Sequence, residues 1–343
     1  MYSTQWGSIG WGYGQFGDPC GVAVDSAGNV YVVDTGTNRV QKFTSTGTFI
    51  TQWGSAGTRN RQFFGIGGIA VDSAGNVYVT DEHNSRVQKF DSTGIFITKW
   101  GSYGPGDGQF KSPEGIAVDN AGNVYVVDTV NNQIQKFTSD GTFITKWGTR
   151  ASGIAVDSDG NVYVTDATSN QVQKFTSDGT HLLNWGTSGS ENGQFSSPEG
   201  IAVDNAGNVY VNDVGNQRVQ KFTPDSTFVT SWETGASGIT VDSDSYVYVV
   251  DRGNCRIQKF VPAGSTPTIS QKKEVPGGDD TPNSTSNSTC DDVNGDGVLD
   301  FNDVVLFFNQ MDWIAENEPV SAFDFNKNNQ IDFNDVVVLF NTL

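Results

Sequence analysis

The chain is poor in cysteine, methionine and histidine, with three, two and two of them among 343 residues. Three cysteines exclude a disulfide-dense scaffold, and two histidines are too few for a multi-histidine catalytic zinc site. Basic residues number 20 against 39 acidic ones, for a formal net charge of −19. Nucleic-acid binding needs clustered Lys and Arg to displace counterions from phosphates. No such cluster exists, so no nucleic-acid partner is expected. No apolar run reaches the roughly 18 residues of a spanning helix, so no membrane span is expected either. Tyr2-Ser3-Thr4-Gln5-Trp6 has neither the basic segment nor the apolar core of a secretory leader. A Ser-His-Asp elbow, a P-loop and a Cys-x-x-Cys pair are all missing.

What fills the chain instead is repetition. The unit G-[IV]-[AT]-V-D-x-x-G-N-V-Y-V-x-D-x-x-x-x-[RQ]-[VI]-Q-K-F occurs six times over residues 2–260, usually followed by G-x-F-I-x-x-W-G. Its first glycines are Gly21, Gly68, Gly115, Gly153, Gly200 and Gly238, spaced by 47, 47, 38, 47 and 38 residues. A period near 40 residues denotes a solenoid or propeller. Each unit holds four short runs of alternating polarity, such as 22–25, 30–33, 40–43 and 49–53, punctuated by Gly, Asn and Asp, which predicts a four-stranded antiparallel blade. The sixth unit stops after its third strand at Phe260. The missing fourth strand stands at the start of the chain, Ser3 to Gly7, and pairing the two removes two open sheet edges. The expected fold is an all-β six-bladed β-propeller.

These repeats resemble NHL-repeat propellers over about three quarters of the chain. The resemblance implies a fold and no single function, because such propellers include RNA-binding and protein-binding domains and some lyases. Asp34, Asp81, Asp128, Asp166, Asp213 and Asp251 recur once per blade and are expected to be architectural, as are Trp6, Trp53, Trp100, Trp147, Trp185 and Trp232. Only His83 and His181 break the repetition among titratable bases. The amidating lyases of this fold hold zinc with several histidines, which two scattered ones do not supply.

Cys20 precedes the first strand of blade 1 and Cys255 follows the second strand of blade 6. Both loops emerge on one face beside the seam, so a Cys20–Cys255 disulfide is a candidate staple, against the alternative of two free thiols. Residues 261–290 form a Pro/Gly/Ser/Thr/Asn tether with an end-to-end distance on the order of 30 Å. It carries two glycosylation sequons, at Asn283 and Asn287.

Residues 291–343 hold the strongest chemical signal. In the loop from Asp292 to Asp303, side-chain oxygens stand at Asp292, Asn294, Asp296, Asp300 and Asp303, Val298 offers a carbonyl, and Gly297 makes the sharp turn. Ca²⁺ takes six to eight hard oxygen ligands, and this spacing wraps one loop around it. A second loop begins 32 residues later with Asp324, Asn326, Asn328, Gln330 (carbonyl), Asp332 and Asp335. Asn328 replaces a carboxylate there and Asn329 replaces the glycine, so the second site should bind Ca²⁺ more weakly. Short apolar helices are expected at 302–311 and 334–341.

Two such loop–helix repeats resemble a dockerin, a small helical EF-hand-like domain. The resemblance implies two Ca²⁺ sites and docking to a cohesin-type partner through Phe301, Asn302, Phe333 and Asn334, in either of two orientations. The bare alternative is that Ca²⁺ only staples a tail too small to fold alone. The expectation is therefore an extracellular or cell-surface, non-catalytic binding and assembly protein, with the propeller engaging a protein or glycan. The rival is a dockerin-borne lyase, lactonase or polysaccharide-degrading enzyme with an active site on the propeller axis. A deep, asymmetric acidic pocket there would favour the rival, and six equivalent loops would favour binding.

Overall fold

The computed structural model describes residues 2–261. The tether, the sequons, Cys290, the two calcium loops and the docking residues lie outside the described residues. Six four-stranded antiparallel sheets follow one another around an axis. Blade 1 contains Pro19–Val24, Val30–Asp34, Arg39–Phe43 and Phe49–Trp53, from the axis outward. Blade 6 contains Ala236–Val241, Val247–Asp251 and Arg256–Phe260, and its outermost strand is Tyr2–Trp6. Thr4 lies opposite Lys259, Gln5 opposite Gln258 and Trp6 opposite Ile257. The ring closes as the sequence predicts.

The apolar cores lie between blades. Tyr31, Val33, Val40 and Trp53 of blade 1 pack on Phe63, Ile66, Ile69, Val77, Val79 and Phe90 of blade 2. Each such large side chain contributes about 1.5–3 kcal/mol when fully buried. The tryptophan at the end of each outer strand spans the joint. Trp53 sits 5.8 Å from Phe90 and 6.2 Å from Tyr31, centroid to centroid. The indole N–H groups of all six tryptophans are buried without a protein acceptor, so these residues act by packing.

At the axis the inner strands nearly touch. A Cβ at Gly68 would lie 2.5 Å from the Glu114 carbonyl of the next blade, and one at Gly238 would lie 2.4 Å from the Cys20 carbonyl across the seam. That close approach explains the first glycine of every repeat. Where spacing is 47 residues, and ahead of blade 1, an extra loop enters each blade: residues 7–16, 54–63, 101–110 and 186–195. Each loop tucks into the wedge that opens between neighbouring blades and buries its terminal phenylalanine, Phe16, Phe63, Phe110 or Phe195.

Of the two alternatives held open for Cys20 and Cys255, the structure has the second. Both Cys20 and Cys255 are free thiols. Cys20 turns toward blade 2, with its Sγ 3.2 Å from the Gly67 carbonyl and 3.0 Å from Thr35 Oγ1. Cys255 belongs instead to the layer between blades 6 and 1, with Phe16, Val22 and Tyr248. The blade 1 sheet therefore separates the two sulfurs.

Candidate functional site: an acidic pocket on the axis

The six aspartates that end the second strands are buried and fully engaged by the frame. Asp34 accepts from the Gly17 and Asp18 N–H groups at 2.9 Å each, Asp81 from Phe64 N–H and Arg86 Nε, and Asp213 from Ser196 N–H and Arg218 Nε. Their role is architectural, as expected. The aspartate that opens each turn is equally structural. Asp25 accepts from Ala27 and Asn29 N–H and from the Tyr31 hydroxyl. Lys42 lies over the Tyr31 ring at 4.8 Å and donates to the Ser92 carbonyl of blade 2. The seam has the same tie, from Lys259 to the Ser45 carbonyl.

Departures from repetition lie just outside the motif. The residue before each repeat glycine is Cys20, Gly67, Glu114, Ser152, Glu199 or Ser237. The residue after each second-strand aspartate is Thr35, Glu82, Thr129, Ala167, Val214 or Arg252. Inner strands and second turns bring many of these together around a cavity of about 430 Å³ on the axis, with Glu82, Glu114, Glu199, Arg252 and Cys20 in its wall. Arg252 forks onto Asp18 with Nε–Oδ1 2.5 Å and Nη2–Oδ2 2.6 Å, locking blade 6 to blade 1 beside the cavity.

Burial and then the neighbouring Glu82 push the Glu114 carboxyl above the ordinary range. Burial does the same to Glu199, opposed by Arg252. Burial pushes the Cys20 thiol up to about 11, although Thr35 works against it, so Cys20 is a weak nucleophile near neutral pH. The pocket thus combines carboxyl groups that hold protons more tightly than usual with one guanidinium. Among the described residues, no three His, Cys, Asp or Glu side chains converge as a metal-binding group.

His83 and His181 do not meet. His83 follows Glu82 on its turn and packs edge-on against Phe64 at 4.9 Å, with Nδ1 3.7 Å from Glu82 Oε1. His181 opens the outer strand of blade 4 against Phe175. Glu82, Glu114, Glu199 and Arg252 are the functional candidates that repeat reasoning passes over. Aligning the six copies and reading the positions flanking the motif would have found them.

The NHL repeat matches residues 16–43, 65–90, 110–137, 149–175 and 195–222, five of the six copies. Residues 2–261 thus form a six-bladed propeller that carries NHL repeats in five of its blades. No curated protein sequence matches significantly. Among solved structures, a streptogramin B lyase is similar at 16% identity and TM-score 0.55, covering 75% of this chain and 96% of that one. A gluconolactonase from Xanthomonas campestris gives 18% identity and TM-score 0.60, covering 73% and 88%. A chain of a nidogen/laminin complex gives 20% and 0.51, covering 65% and 84%. Likeness at these identities concerns the fold alone.

Proposed function

We propose that the chain is an extracellular binding and assembly protein in which a dockerin-like tail, residues 291–343, loads two Ca²⁺ ions and docks the propeller to a cohesin-type partner. The observation that carries this reading is the pair of twelve-residue loops, 32 residues apart, with oxygen-bearing side chains at the same five positions. The apolar stretch Val304-Val305-Leu306-Phe307-Phe308 beside Phe301 supports docking over mere stapling. The test is capture of partners from a surface extract on the immobilised full chain, in Ca²⁺ and in EDTA. A cohesin-like protein retained only in Ca²⁺ supports the reading, and a tail that binds Ca²⁺ but retains nothing refutes the docking half of it.

The axial pocket favours a second reading. Its wall is acidic and differs from blade to blade, the arrangement expected of an enzyme rather than of six equivalent binding loops. In that reading Glu114 or Glu199, each holding a proton unusually well, serves as a general acid on a polysaccharide or lactone. Assays on panels of both substrate classes should then show turnover that falls at least about 100-fold in Glu114→Gln or Glu199→Gln. Turnover that survives both substitutions removes the axis as the active site.

A further inference from the structure

The loops that fill the wedges between blades are gripped by a set of side chains that is complete in blades 2 and 5, while blade 1 has Thr37 in place of the asparagine and blade 3 has Gln133 in place of the arginine. In blade 2, Asn84 Nδ2 donates to the Gly57 carbonyl at 2.9 Å. Arg86 donates to the carbonyls of Thr58, Arg59 and Gln62 at 2.7, 2.9 and 2.8 Å. Gln88 donates to the Gln62 carbonyl at 2.8 Å while its Oε1 accepts from Arg61 N–H. Blade 5 repeats this with Asn216 on Gly189, Arg218 on Glu191 and Gln194, and Gln220 on Gln194. Every contact with the loop is to main chain, so this Asn-x-Arg-x-Gln set reads a backbone shape and tolerates many side chains.

Two wedges have no loop, those entering blades 4 and 6. Blade 4 keeps only the glutamine of the set, Gln173, with Ser169 and Gln171 in place of the asparagine and arginine. Blade 6 has kept all of it, as Asn254, Arg256 and Gln258. There Asn254 keeps only the aspartate contact, to Asp251, that its counterparts make beside their loop contact. Arg256 is held by Asp251 and Gln5 through Nε and Nη1, and Gln258 accepts from the Thr234 hydroxyl. Arg256 Nη2 and Gln258 Nε2 have no partner among the described residues. The equivalent Gln41, Gln88, Gln135 and Gln220 are fully buried under their loops, whereas Gln258 is half-buried. In place of a loop there is a cavity of about 400 Å³ that these residues share with Glu233.

We infer that the wedge between blades 5 and 6 is a peptide-binding site that takes a turned segment in trans, in the conformation the chain's own loops adopt elsewhere, where the Gly57 N–H closes on the Phe63 carbonyl. Arg256 Nη2 and Gln258 Nε2 donate to its carbonyls. Exposed Glu233 favours a basic segment, and so does the acidic chain as a whole. A glycine at the head of the segment matches the Gly57 and Gly189 carbonyls that the asparagine meets in the filled wedges. This site is independent of the axial pocket and of the calcium loops.

The probe is the decapeptide G-S-A-G-T-R-N-R-Q-F, the sequence of residues 54–63, added to ¹⁵N-labelled full chain, with a scrambled peptide of the same composition as control. The expected result is saturable shifts of the Arg256 Nε–H and Gln258 side-chain amide signals, and binding at least tenfold weaker in Arg256→Gln. That substitution keeps the frame, because Gln133 already satisfies Asp128 at the same place in blade 3, and an unchanged amide spectrum away from the wedge checks it. The inference is overturned by no shift of either signal at millimolar peptide, by equal affinity for the scrambled peptide, or by equal affinity of Arg256→Gln.

Discussion

Glu114 occupies the slot that is Gly67 in the blade before it and Ser152 in the blade after. Because its carboxyl holds a proton more tightly folded than unfolded, the native state binds more protons than the unfolded chain between the two pKa values. Its stabilising contribution is full below the ordinary glutamate range and is lost as pH rises through the raised folded value. Glu114→Gln should therefore melt higher than the parent at pH 7, with the two curves converging near pH 4. Thermal melts across that range check it, and a lower midpoint at pH 7 contradicts it. For the thiols, a non-reducing peptide map should show Cys20 and Cys255 unlinked. Sequence position put both cysteines on one face of the ring. It could not show on which side of a blade each sulfur falls, and that alone decides whether they can bond.

At the scale of the element, the joints between blades carry the stability. Trp53 is 3% exposed and packs on two rings, so Trp53→Ala should cost about 3–5 kcal/mol in chemical denaturation. Gly68→Ala drives a methyl against a backbone carbonyl that cannot rotate away, and should cost about 1–3 kcal/mol. Both residues were legible in the sequence because they recur six times, and recurrence marks what every blade needs. Glu82, Glu199 and Arg252 escape that criterion, because recurrence does not mark them. Each lies outside the motif at a position where the copies differ, and only the ring geometry brings them to one cavity. The loop wedges were half legible. The spacings of 47 and 38 residues showed where loops are missing, but not that blade 6 keeps the side chains that would hold one.

For the whole molecule, closure of the ring by its first strand was written in the complementary incompleteness of the two ends, and the register of Gln5 with Gln258 follows it. Removing residues 1–7 should expose the Arg256–Phe260 strand as an open edge, lowering the melting midpoint and promoting self-association on sizing chromatography. The proposed docking role links this ring to the acidic tail through Ca²⁺ loading. Calorimetric titration of the full chain with Ca²⁺ tests that link most directly. Two ions per chain are expected, the tighter one abolished by Asp296→Ala and the weaker one by Asp332→Ala, with the propeller's own melting transition unmoved in both variants. Titration heats that match buffer alone, or stoichiometry unchanged by both substitutions, would contradict it.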